Sequence, residues 1–343
     1  MTHIVVIATG GTIASRSTES GQGKIAVTGA AALVESVGVD RLPPGTIVSP
    51  RDAGTMNSFN LTFRDTRRIA AAIAAALAEG ADGVVVTHGT DTLEETAFLH
   101  DLTCADERPV VFTGSQHPAD DREGDGPGNI ADAIAVAAHP SSRGRGALIA
   151  FSGDIFPVRG THKNNVFAAQ PFAARIGGPI GVVHERMVYY CARPEPWRRL
   201  SPVSADMEDL RIATIVNVPG LPDGDADIEV ALQRGADGMV ILGTGAGNTS
   251  KSMVHTVAMA RAAHVPVVLT TRVPFGHVTP TYGNGGAVNA VAAGAIPVWS
   301  VPFTQARLLL AALIDAHGPQ QAREALTGFD QRTGIWGAAK AVG

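Results

Sequence analysis

The sequence predicts an α/β protein, with a larger N-terminal domain built on a mainly parallel sheet flanked by helices and a smaller α/β C-terminal domain. Two observations lead there. Short apolar runs bounded by turn residues recur along the 343 residues, and alanine-rich helical stretches separate many of them. Continuous apolar strands alternating with helices mark a parallel sheet covered on both faces. The chain is also too long for one small core and divides more naturally into two.

In order, strands are expected over 3–8, 83–88, 109–113 and 147–151, then 212–216, 238–242, 265–270 and 295–299, with helices over 65–79 and 252–263. Residues 191–210 contain Pro194, Pro196 and Pro202 and show little periodicity, so they read as a linker between domains 1–190 and 211–343. Gly80-Ala81-Asp82-Gly83 is echoed by Gly235-Ala236-Asp237-Gly238, each before a strand, which reads as one helix-to-strand turn used twice. Residues 273–306 hold no Asp, Glu, Lys or Arg, but Pro274, Pro280, Pro297 and Pro302 interrupt them, so loop plus buried strand is expected there and not a membrane span.

Composition narrows the function classes. Hydrophobic residues make up 45% and charged residues 17%, which excludes a disordered chain. A net charge of −5 argues against a nucleic-acid or anionic-membrane partner. Cys104 and Cys191 have no metal-like spacing, and the eleven histidines form no H-E-x-x-H, so neither metal nor cofactor is expected. Met1-Thr2-His3 leads at once into a strand-like run without a basic leader, an apolar stretch and a cleavage site, and the expected location is cytoplasmic.

Chemistry concentrates in two stretches, Thr9-Gly10-Gly11-Thr12-Ile13-Ala14 and Thr87-His88-Gly89-Thr90-Asp91-Thr92. Both follow expected strands, at the carboxyl ends where open α/β sheets bind ligands. Gly10-Gly11 allows a sharp turn with backbone N–H groups close to a ligand. A phosphate or dinucleotide loop is the alternative, yet neither G-x-G-x-x-G nor Gly-Lys-Ser/Thr is present. In the second stretch Thr92 and Glu95 fit a capping box, with Glu94 and Glu95 well placed in a first helical turn. Capping alone would explain Asp91 and Thr92 but not His88-Gly89-Thr90. Lys163 is one of four lysines and lies between His162 and Asn164-Asn165, either as a titratable amine or as an ordinary surface residue. Gly114-Ser115-Gln116-His117 is not a G-x-S-x-G elbow, and Asp120-Asp121-Arg122-Glu123 reads as a solvated loop. Two threonines, an aspartate and free N–H groups are what attack on a carbonyl requires.

These two motifs closely resemble the signatures of bacterial-type L-asparaginases and glutaminase-asparaginases. Thr12 and Thr90 are 78 residues apart (90 − 12), as in that family. Asp125-Gly126-Pro127-x-Asn129, Arg159-x-x-x-Lys163, Gly247-Asn248 and Thr271-Arg272-Val273-Pro274 extend the resemblance over nearly the whole chain. It implies that Thr12 attacks the side-chain amide of asparagine and forms an acyl-enzyme, and that Lys163 polarises Thr90 and helps activate the hydrolytic water. It implies that Asp91 meets the substrate's α-ammonium and Ser58 its α-carboxylate. Gly11, Gly89, Ser115 and Asn248 complete the implied binding set, with glutamine a minor substrate, no cofactor and a homodimer or homotetramer as the assembly. Hydrolysis of another small amide, or a catalytically silent binding module of the same fold, are the rival readings.

Three departures bear on substrate. The stretch 15–29 has no tyrosine, where many relatives carry one beside the nucleophile, and Ser20 stands nearest that place. Phe59 follows Ser58 where some relatives have glutamine, and 273–306 lacks the glutamate that several relatives offer the ammonium. Tyr282 either fills the vacant space, contributing a hydroxyl, or anchors a loop from a buried position. The expected outcome is amide hydrolysis with weaker affinity for free asparagine than in relatives that keep those contacts, or with a different substrate range. A Michaelis constant equal to theirs would contradict it.

Overall fold

The computed structural model describes residues 1–17, 24–195, 199–220 and 226–330, and these form two compact units, Met1–Arg199 and Leu200–Gly343. In the first unit, strands β1 (Thr2–Gly10), β2 (Ser15–Ser17), β3 (Lys24–Ala26), β4 (Thr46–Met56), β5 (Gly83–Thr87), β6 (Val110–Thr113), β7 (Leu148–Phe151), β8 (Asp154–Pro157), β9 (Thr161–Lys163), β10 (Phe172–Ala174), β11 (Gly181–His184) and β12 (Met187–Tyr190) alternate with helices α1 (Ala30–Val37), α2 (Phe63–Ala78), α3 (Leu93–Thr103) and α4 (Gly126–Ala138). The main sheet has the order β12-β11-β8-β7-β6-β5-β1-β4. From β4 to β7 neighbouring strands are parallel, and β8, β11 and β12 extend the sheet in antiparallel pairs.

Strict alternation along β1 explains why its centre is apolar throughout. Ile4, Val6 and Ala8 pack with Val85, Val111, Leu33, Ile130 and Ile134 in one cluster, while Val5 and Ile7 are buried from the other face, and α2 also packs against β1. With both faces dry, β-branched residues fit everywhere along the strand.

The second unit repeats the plan at smaller scale. Strands β13 (Ile212–Val216), β14 (Gly238–Gly243), β15 (Val267–Thr271) and β16 (Ile296–Pro297) form a parallel sheet in sequence order. Helices α5 (Ala226–Gln233), α6 (Lys251–Ala262), α7 (Ala287–Ala293) and α8 (Phe303–Asp330, broken at Gly318-Pro319) belong to it, around a core including Met239, Ile241, Val257 and Leu269. Within 273–306 the expected loop and strand are present, but α7 and the start of α8 are helical. Gly286 and Gly294 bracket α7 as its caps, and a seven-residue alanine-rich turn between glycines carries too little periodicity to stand out.

The echoed tetrapeptides do the same work in each unit. Asp82 accepts from the backbone N–H of His3 at 2.8 Å and donates its own N–H to the His3 carbonyl, joining the start of β5 to β1. Asp237 makes the identical pair with Arg211, joining β14 to β13. Gly80 and Gly235 both take positive φ to end the preceding helix.

His100 of α3 is buried against the Phe112 ring, and burial lowers its pKa to about 4. The unfolded chain takes up that proton from about pH 6.5, so the folded state loses this share of its stability as pH falls from 6.5 towards 4. Replacing His100 by leucine should flatten the decline of Tm over that window, measured by thermal melts at successive pH values.

Candidate active site

β1 and β5 are adjacent parallel strands, paired from Ile4↔Gly83 to Ala8↔Thr87, so both motifs leave the sheet side by side at the same end. After β1 the chain turns through Gly10 and Gly11, at φ 107° and 80°, into a 3-10 turn over Thr12–Ala14. A side chain at Gly11 would lie 2.3 Å from Gly89 Cα and 2.4 Å from its nitrogen. One at Gly89 would lie 2.4 Å from Ser58 Oγ. The backbones that precede Thr12 and Thr90 thus touch, with Ser58 closing against them.

Beyond Gly89, Thr90 is buried while the Asp91 side chain is 53% exposed. Lys163, at the end of β9, brings its ammonium between them. Its Nζ donates to Thr90 Oγ1 at 2.8 Å and to Asp91 Oδ1 at 2.9 Å. An ammonium bound to a hydroxyl and a carboxylate at these distances can hand a proton along the chain Thr90–Lys163–Asp91.

Two supports lie behind this group. His88 is fully buried, its ring Nδ1 2.8 Å from the Gly89 carbonyl, and desolvation lowers its pKa to about 4, so it is neutral. Glu94 accepts the backbone N–H of Lys163 at 3.1 Å through Oε1. Burial and repulsion from Glu95 raise its pKa to about 8, with Lys163 pulling the other way. Sequence reading placed Glu94 only as a first-turn acid. A buried acid here has no sequence signature, because its burial depends on β9 packing across α3.

The strand-end loop after β6 forms the next wall. Gly114 abuts the His88 carbonyl and the Thr90 methyl, and Ser115 is buried with its hydroxyl donating to the His117 carbonyl at 2.6 Å. Asp125 accepts from the Gln116 and His117 N–H groups, both at 2.9 Å, and Asn129 Nδ2 donates to the Gly114 carbonyl and to Asp125. The Asp125-Gly126-Pro127-x-Asn129 motif therefore acts as a brace for the 114–117 loop. Asp120 to Glu123 are exposed, as a solvated loop would be.

The capping box expected at α3 is absent. Thr92 does occupy the N-cap, but its hydroxyl donates to the Ser58 carbonyl at 2.8 Å, a tertiary bond that outcompetes the local one and ties Ser58 to the second motif. Phe59, next along, is 66% exposed.

Asn248 and Tyr282 belong to the second unit. The Asn248 side chain accepts the Ala287 N–H at 3.2 Å at the start of α7, and its carbonyl accepts from Thr244 N and Asn217 Nδ2. Tyr282 is 64% exposed, so the buried-anchor alternative is wrong: its ring sits on a proline- and glycine-rich loop with little packed over it. Ser20 lies outside the described residues. Among the described residues no group of three or more His, Cys, Asp or Glu is arranged to hold a metal ion, and no helix is long and apolar enough to cross a membrane.

Residues 3–195 match the family model "Asparaginase, N-terminal", and residues 214–326 match "Glutaminase/Asparaginase C-terminal domain". The chain belongs to the asparaginase family. It is 39% identical over 320 residues to a probable L-asparaginase of Deinococcus radiodurans, covering 91% of this chain and 93% of that one. L-asparaginase 2 of Escherichia coli is 32% identical over 248 residues, covering 71% and 69%. The crystal structure of a probable cytoplasmic L-asparaginase from Campylobacter jejuni superposes with a TM-score of 0.83 at 25% identity, covering 95% of this chain and 99% of that one. Asparaginase-family membership thus spans both units, and the N-terminal match includes Thr12, Thr90, Asp91 and Lys163.

Gly11→Ala should strain the backbone and force the two motif turns apart, costing about 1–3 kcal/mol in stability by overpacking. Differential scanning calorimetry would show the lowered Tm, and a Gly11→Ala protein as stable as the wild type would refute the close contact.

Proposed function

We propose that the chain hydrolyses the side-chain amide of L-asparagine to L-aspartate and ammonia, with glutamine a lesser substrate. The observation that carries this reading is the Lys163 ammonium bonded to both Thr90 and Asp91, beside a turn that presents Thr12. In the proposed reaction Thr12 Oγ attacks the amide carbon and loses its proton. The tetrahedral intermediate then expels ammonia, the leaving nitrogen having gained a proton, and an ester on Thr12 remains. Water, activated through Thr90 and Lys163, adds to that ester, and aspartate leaves as Thr12 regains its hydroxyl proton. A free threonine hydroxyl is a weak nucleophile, so a neighbouring proton relay is a requirement of the chemistry. Backbone N–H groups of the Gly11-Thr12 and Gly89-Thr90 turns are the candidate donors for the developing oxyanion, and one such donor is worth about 2.7–4 kcal/mol in other hydrolases.

In this reading the exposed carboxylate of Asp91 receives the substrate ammonium, and Gly11, Ser58, Gly89 and Ser115 shape the rest of the pocket. The Asn248 and Tyr282 contacts, a homodimer or homotetramer and a cytoplasmic location belong to the same proposal; the last agrees with the description of the Campylobacter jejuni neighbour. The names of the relatives support the substrate. The exposed Phe59 beside Ser58 favours a second reading, hydrolysis of another small amide whose amine end is less demanding.

Ammonia release from a panel of amides separates the readings. Thr12→Val should abolish turnover, and Lys163→Met should lower kcat by roughly 10²–10⁴-fold, the usual worth of a positioned acid–base group. Activity confined to an amide other than asparagine would select the second reading, and none on any amide would reject both.

A further inference from the structure

Glu94 is a buried acid that the proposed reaction does not use. Its residue is 5% exposed, Oε1 accepts the Lys163 N–H at 3.1 Å, and Oε2 is buried with no hydrogen-bond partner among the described residues. A carboxylate in that position would lack solvation on one oxygen, whereas a neutral carboxyl keeps the useful acceptor and spares the charge. The same Lys163 whose backbone Glu94 holds sends its Nζ to Thr90 and Asp91.

We propose that Glu94 is a positioning residue for Lys163, holding the end of β9 through the Lys163 N–H in its neutral form, and that loss of its proton switches the Thr90–Lys163 relay off. This rests on the reading of the site as an amidohydrolase. With Glu94 neutral, Asp91 is the carboxylate paired with the ammonium. Once ionised, Glu94 sets a second negative charge near the same ammonium, which then holds its proton harder against transfer towards Thr90. α3 itself carries Glu95, His100 and Asp101 and the preceding turn Asp91; of the elements packed on α3, β9 carries His162 and Lys163 and α2 Arg64, Asp65, Arg67 and Arg68, while β6 and β7 bring no charged side chain. Glu95 disfavours ionisation of Glu94 and Lys163 favours it. Burial outweighs both and sets the proton's release at about pH 8.

Two measurements on the full chain test this. Glu94→Gln preserves a carbonyl acceptor for the Lys163 N–H and cannot ionise. It should keep kcat at pH 7 and lack the fall in kcat expected of the wild type above about pH 8. Glu94→Leu, which removes the acceptor, should lower kcat by about tenfold with little change in KM, as expected for one orphaned buried N–H. The second measurement needs no turnover. The backbone amide resonance of Lys163 should titrate near pH 8 in the wild type and stay flat in Glu94→Gln. A Glu94→Gln protein with the wild-type alkaline limb, or a Lys163 amide indifferent to pH in the wild type, overturns the proposal. If the wild type hydrolyses no amide, the functional reading fails, and the Lys163 resonance still decides the part played by Glu94.

Discussion

The site depends on a contact between two pieces of backbone. Gly11 approaches Gly89 until it has no space for a Cβ, Ser58 leaves Gly89 none, and Gly11 also adopts a φ that side-chain-bearing residues avoid. That approach follows from β1 and β5 being neighbours in the sheet, with their motifs leaving at one end. It sets the residues that follow, Thr12 and Thr90, on turns that share a wall. Ser58 completes the wall by packing on Gly89 and accepting the Thr92 hydroxyl through its carbonyl. Strand order decides which turns meet, and glycine decides how closely.

Around this contact the charges are arranged by depth. Asp91 faces water, Lys163 is intermediate, and Glu94 and His88 lie within the protein. Burial neutralises the two inner groups in opposite ways, by keeping a proton on Glu94 and keeping one off His88. The Lys163 ammonium and the Asp91 carboxylate remain as a charged pair, at 2.9 Å, at the mouth of the site. Such a pair is strong where water is scarce and open to a substrate where it is not.

The braces lie further out. Asp125 and Asn129 hold the loop after β6, and the paired Asp82 and Asp237 turns fix strand starts in the two units by the same hydrogen bonds. These residues make no chemistry of their own. Their side chains satisfy backbone groups at the ends of strands, where the sheet can no longer do so.

Sequence by itself determined the α/β class, eight of the sixteen described strands and the two threonine motifs, because apolar runs and glycine turns are local signals written in adjacent residues. It also singled out Lys163, though only the resemblance distinguished it from a surface lysine. Tertiary structure decided what depends on distant residues meeting. It turned Thr92 from a local cap into a tie to Ser58, buried Glu94 under β9, and left the Tyr282 ring in solvent. Hydrogen bonds and desolvation act through space, and their strength at Glu94 or Thr92 is set by partners 69 and 34 residues away.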